Sequence, residues 1–81
     1  MLDLFLPSSV TRLVVYLIPV SMRLGPGKIR AICQEKIGIE PSASTAFIFA
    51  NKKQDCLLMF VDDDGDEQIL MKKLTRGAFL L

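Results

Sequence analysis

The sequence predicts an α+β domain, an antiparallel meander sheet of four to five strands with one helix packed on one face, in the order β-α-β-β-β(-β). Three features carry that expectation. From Thr45 to Phe79, apolar runs alternate with clusters of turn-forming residues, a pattern that favours consecutive strands pairing with their neighbours. One stripe of helical period lies between Gly25 and Gly38. A run rich in β-branched residues, Leu13–Ile18, precedes it.

Residues 1–81 are read as one domain, in which Met1–Thr11 is a lead-in, loose or an edge strand, broken at Pro7-Ser8-Ser9. Leu13–Ile18 is a strand that ends at Pro19, and its apolar residues of both parities predict burial on both faces. Ser21–Gly27 is a loop into a helix running from about Pro26 to Ile37. Gly25 suits the N-cap and Pro26 the first helical position, where proline's missing N–H costs nothing. Ile29, Ile32, Cys33 and Ile37 form the apolar stripe, with Lys28, Arg30, Gln34 and Glu35 off it. Gly38 caps the end and Pro41 forbids continuation.

Thr45–Ala50 is the next strand, with Phe47 and Phe49 on one face and Ile48 on the other. Asn51–Asp55 is a hairpin turn without glycine. Cys56–Val61 is apolar on both faces and so central. Asp62–Asp66 turns the chain, with Gly65 able to take positive φ. Glu67–Leu74 is a strand, with a helix as its main competitor. Thr75–Gly77 is a tight turn, after which Ala78–Leu81 can pair as a short last strand.

Composition narrows function by exclusion. Net charge is +1, so any case for nucleic acid or membrane must rest on local clustering. Hydrophobic residues make up 51% of a short chain, which fits either a tightly filled core or an apolar patch used for self-association. There is no histidine, and Cys33 and Cys56 lie far apart, which removes the usual zinc sets and the usual base for a nucleophile. Both cysteines sit in apolar runs and read as free thiols in a reducing cytoplasm. Leu13–Val20 is too short, and too interrupted at Pro19, to cross a bilayer, so no membrane role is expected.

The run Asp62-Asp63-Asp64-Gly65-Asp66 invites a metal reading. Setting Gly65 at the sixth position of a calcium loop puts Phe60 at the first and Met71 at the twelfth, where carboxylates are required. The motif fails, and a solvated turn is the simpler account. Carboxylates for two-metal phosphoryl chemistry come from separate elements of a larger scaffold, not from one turn. No cofactor, metal or catalytic residue is expected. The remaining candidates are cationic: Arg23, Lys52, Lys53, Lys72, Lys73 and Arg76. Clustered, they would make a phosphate-contacting patch; scattered, they would be ordinary solvated charge and edge protection.

Several blocks occur in a distinctive order: Met22-Arg23-Leu24-Gly25, then Gly38 and Glu40-Pro41, then Phe47-Ile48-Phe49, Asn51-Lys52-Lys53 and Asp63. The last is Lys72-Lys73-Leu74-Thr75-Arg76-Gly77-Ala78-Phe79. In these the chain resembles the small accessory protein, the second reading frame product, of bacterial insertion sequence family sixty-six. The final block is the most specific, a basic pair, Leu, any residue, Arg-Gly, any residue, Phe. The chain departs from the family pattern at Pro26, Ala43-Ser44, Leu58, Val61 and Asp64-Gly65-Asp66. The resemblance implies a non-enzymatic accessory factor in DNA transposition, with a separate transposase, element DNA or both as partners. The alternative is a protein–protein or dimerisation module, a homo-oligomer without direct nucleic-acid contact, in a divergent or degenerate copy.

Overall fold

The computed structural model describes residues 9–73. Strand β1 is Arg12–Val15, helix α1 is Pro26–Ala31, and a π-helical segment, Ile32–Ile37, continues α1 directly. Strands β2 (Thr45–Ala50), β3 (Cys56–Asp63) and β4 (Asp66–Lys73) follow. The Thr75–Gly77 turn, the short last strand Ala78–Leu81 and most of the lead-in lie outside the described residues.

The four strands form one sheet in the order β1-β2-β3-β4. The class is α+β, but the sheet is mixed rather than an antiparallel meander. β1 runs parallel to β2, with Arg12 opposite Thr45 and Val15 opposite Ile48. β2–β3 and β3–β4 are antiparallel. The physical reason is the connection. A helical crossover returns the chain to the end of the sheet where it began, so the next strand runs the same way, whereas a tight turn reverses it. The π segment also interrupts the expected single helix.

The helix begins and ends where its punctuation demands. Gly25 is the N-cap in extended conformation, and Pro26 opens the first turn. Gly38 ends it in the left-handed region at φ 79. The N–H groups of Gly38 and Ile39 both donate to Cys33 O, at 2.8 and 3.0 Å. The bond from Gly38 spans five residues, which is the π spacing. The stripe faces inward: Ile29 and Cys33 are buried, and Ile32 and Ile37 pack partly buried beside them.

Alternation across β2 and β3 divides the sheet residues between two clusters. On the helix side, Phe47, Phe49, Leu58 and Phe60 pack with Ile29 and Cys33. Tyr16 meets Phe49 edge-on at 5.7 Å between ring centroids. On the far side, Ala46, Ile48, Ala50, Leu57, Met59 and Val61 form a second buried cluster with Val10 against it. Burial of a Phe or Leu side chain contributes about 1.5–3 kcal/mol, so these strands dominate the stability.

β1 is shorter than Leu13–Ile18 and is not buried on both faces. Leu13 and Val15 are 45% and 40% exposed, and Leu17 and Ile18 are 70% and 61% exposed. As an edge strand it turns Val14, together with the following Tyr16, toward the helix-side core and leaves its other face open. Beyond Val15 the chain still tracks β2, with Tyr16 N donating to Ile48 O and Val20 N to Ala50 O, both at 2.9 Å.

Candidate nucleic-acid interface

The antiparallel register decides where the cations go. Lys73 lies opposite Cys56, and Lys72 opposite Leu57, so the end of β4 sits beside the β2–β3 turn that carries Lys52 and Lys53. The bond from Val20 to Ala50 brings the post-β1 loop to the same end of the sheet. Between loop and turn lies an open groove of about 710 Å³. Lys52, Lys53 and Lys73 line it, over a floor that includes Val20, Met22, Cys56 and Met71. Arg23, exposed, is the next residue after Met22, and its N–H donates to Ser21 Oγ at 3.2 Å. Five of the six expected cations therefore belong to elements that meet at one sheet end. The sixth, Arg76, lies outside the described residues.

The turn holding Lys52 and Lys53 is built by Asn51. Its Oδ1 accepts from the N–H groups of Asp55 and Cys56, each at 3.1 Å, and its Nδ2 donates to Asp55 Oδ1 at 2.7 Å. Gln54 N donates to Asn51 O at 3.0 Å, and Gln54 takes φ 58, a left-handed position filled here without glycine. Local side-chain bonding of this sort is what suits asparagine to turns. The Asn51 bond holds the Asp55 carboxyl below its ordinary range, assisted by the positive charge of Lys73 and Lys53. Asp55 thus stays ionised and offsets part of the groove's positive charge.

The other end of the sheet is acidic. The loop there is not the five-residue turn Asp62–Asp66 but two residues, Asp64 and Gly65, because Asp62 and Asp63 extend β3 and Asp66 opens β4. Both loop residues have positive φ, 55 and 87, the requirement of the tight hairpin turn that Asp-Gly favours. Gly65 N donates to Asp62 Oδ1 at 2.9 Å. Asp62 does more than solvate a turn. Arg30, expected off the apolar stripe of the helix, reaches it at 2.8 Å and reaches Glu67 Oε2 at 2.9 Å. The guanidinium also lies 5.8 Å from the Phe60 ring centroid. The Arg30 bond holds the Asp62 carboxyl below the usual range, more than burial raises it. Among the described residues no group of three or more Cys, Asp or Glu is arranged to hold a metal ion.

Opposite charges at opposite sheet ends explain how a net charge of +1 coexists with a local cationic groove. Neither the Asn51 scaffold nor the Arg30–Asp62 pair was anticipated. An Asn four residues before an Asp at a glycine-free turn was the available signal for the first, whereas the second joins residues far apart in the chain.

These features define a small α+β domain whose chemistry lies in charged turns at the two ends of a mixed sheet. The chain belongs to the IS66 Orf2-like protein family (TnpB_IS66), whose profile matches residues 11–81. It is therefore an insertion-sequence accessory protein, associated with the transposition machinery of that element type. No curated protein and no solved structure matches the chain. No helix among the described residues is long and apolar enough to cross a membrane.

Proposed function

We propose that this protein is a non-enzymatic accessory factor that binds DNA during transposition beside a separate transposase in the cytoplasm. The contact set is Arg23, Lys52, Lys53, Lys72, Lys73 and Arg76. The observation that carries this reading is the register of β3 and β4, which sets Lys73 across from Cys56 at the foot of the lysine-bearing turn. Three lysines lining one open groove, Lys52, Lys53 and Lys73, suit the phosphate backbone, whose neutralisation releases counterions and makes affinity fall with salt. The groove floor offers Met and Val, and among the described residues its lining includes no aromatic ring on which to stack a base. The reading is therefore one of backbone contact, positioning DNA for the transposase rather than reading its sequence.

Gel-shift titration against element-end DNA at two salt concentrations tests it. Binding at low salt that weakens as salt rises is expected. Absence of binding at low salt, or an affinity indifferent to salt, overturns it.

A further inference from the structure

We propose that the outer edge of β4 is a dimerisation surface, which pairs antiparallel with β4 of a second copy about a two-fold axis at Leu70. Among the described residues β4 pairs with β3 alone, so this eight-residue strand has one edge that no described strand takes. Edges of this length are normally blunted by proline, a bulge or a central charge. β4 has none of these across Gln68-Ile69-Leu70-Met71, and Leu70 and Met71 are 43% and 54% exposed on opposite faces.

The charge order selects the occupant. β4 begins Asp66-Glu67 and ends Lys72-Lys73. A second copy laid antiparallel sets an acid against a lysine at each end, Glu67 against Lys73, whereas a parallel copy sets like charges together. Opposite charges across a strand pair stabilise it and like charges destabilise it. A two-fold axis normal to the sheet keeps each face continuous, so partners share a face. Centred on Leu70, the pairs are Leu70 with Leu70, Ile69 with Met71, and Glu67 with Lys73, and apolar meets apolar throughout the middle.

The backbone agrees. In a two-residue hairpin the pair flanking the loop, here Asp63 and Asp66, exchanges both hydrogen bonds. Alternation then points the N–H and C=O groups of Glu67, Ile69, Met71 and Lys73 outward, and these are the residues that the register asks to bond. The Arg30 clamp takes Glu67 through Oε2, consistent with Oε1 serving the second copy.

The test uses the full chain without DNA, so it stands apart from the nucleic-acid reading. An edge pairing is a small interface and associates weakly, so sedimentation velocity at about 100 μM is the appropriate regime. A dimer is expected, with Leu70→Lys weakening it about tenfold. Leu70 self-pairs at a non-hydrogen-bonded position, where Cα atoms approach within disulfide range. Under mild oxidation, Leu70→Cys is expected to form a covalent dimer, and Gln68→Cys, which faces Lys72 instead, is not. Both positions lie outside the buried core, and circular dichroism verifies that each variant folds. A wild-type monomer at that concentration overturns the proposal, as it would if the chain's own Ala78–Leu81 took the edge. Equal cross-linking of the two cysteine variants overturns it as well.

Discussion

Arg30 Nη2 lies 2.8 Å from Asp62 Oδ2, and the same nitrogen lies 2.9 Å from Glu67 Oε2. One guanidinium thus ties the helix to both strands of the β3–β4 hairpin and lies over Phe60 at the edge of the core. Arg30→Leu is expected to lower the melting temperature modestly, and Arg30→Lys to fall between. Lysine retains charge but lacks the planar fork that meets two carboxylates at once. Thermal unfolding followed by circular dichroism measures this, and a Lys variant as stable as the wild type would refute the role of the fork.

Acid should weaken the fold in a defined window. Asp62 and Asp55 both have carboxyls held below the ordinary 3.8, by Arg30 and by Asn51 respectively. Their unfolded forms take up protons first as pH falls. Stability from these groups is therefore fully present above the unfolded value and is lost as pH drops through the folded ones. Urea unfolding between neutrality and pH 2.5 should show a decline that begins below about pH 4. In Asp62→Asn that decline should be shallower.

Truncating the core is a larger insult. Phe60 is fully buried between β2 and the helix, 6.5 Å from Phe47 between ring centroids. Phe60→Ala should cost about 3–5 kcal/mol, enough to abolish folding of a domain this small. Phe60→Leu should remain folded with reduced stability. A denaturant series should show a transition at a lowered midpoint for the Leu variant and no cooperative transition for the Ala variant.

Gly65 is held at φ 87 with open space where a side chain would stand. Gly65→Ala is therefore penalised by conformation alone, by about 1–2 kcal/mol. Asp64→Gly, at φ 55, should be close to neutral, since it relieves the left-handed strain while adding chain entropy to the unfolded state. A Gly65→Ala variant of wild-type stability would contradict the tight-turn assignment.

The cationic end has a quantitative signature. If Lys52 and Lys53 contact phosphate, replacing both with Ala should weaken binding uniformly across DNA sequences and reduce the salt slope by about two. Lys28→Ala, on the exposed face of α1, should leave that slope unchanged. Fluorescence anisotropy across a salt series reads both.

Cys33 is fully buried, and burial pushes its thiol up to about 11. It should resist alkylation in the native protein at pH 8 and react promptly in denaturant, because the thiolate is the reactive form. Mass spectrometry of the labelled peptide follows this directly.

Much of the fold was legible because its signals are local. Gly25-Pro26 and Gly38 bracket the helical segment through backbone conformations that need no distant partner. Thr45–Ala50 forms a strand with the bounds that its aromatic alternation predicts, and β3 starts at Cys56 as expected. The errors fell where a neighbour decides. The parallel pairing of β1, its exposed outer face and the extension of β3 through Asp63 depend on which strand lies alongside. The candidate site divides in the same way. Which residues carry positive charge is visible in the chain, but whether Lys52 and Lys73 share a sheet end depends on register.

By itself, then, the sequence determined the elements, the two apolar faces of the central strands, the charge of each turn and the family resemblance. Those properties follow from residue chemistry at short range. Only the tertiary structure decided the mixed sheet, the clamp from Arg30 to Asp62 and Glu67, and the gathering of cations at one end with carboxylates at the other. Each of these joins residues that are distant in the chain, and the register that brings them together is selected by burying both faces of β2 and β3 at once.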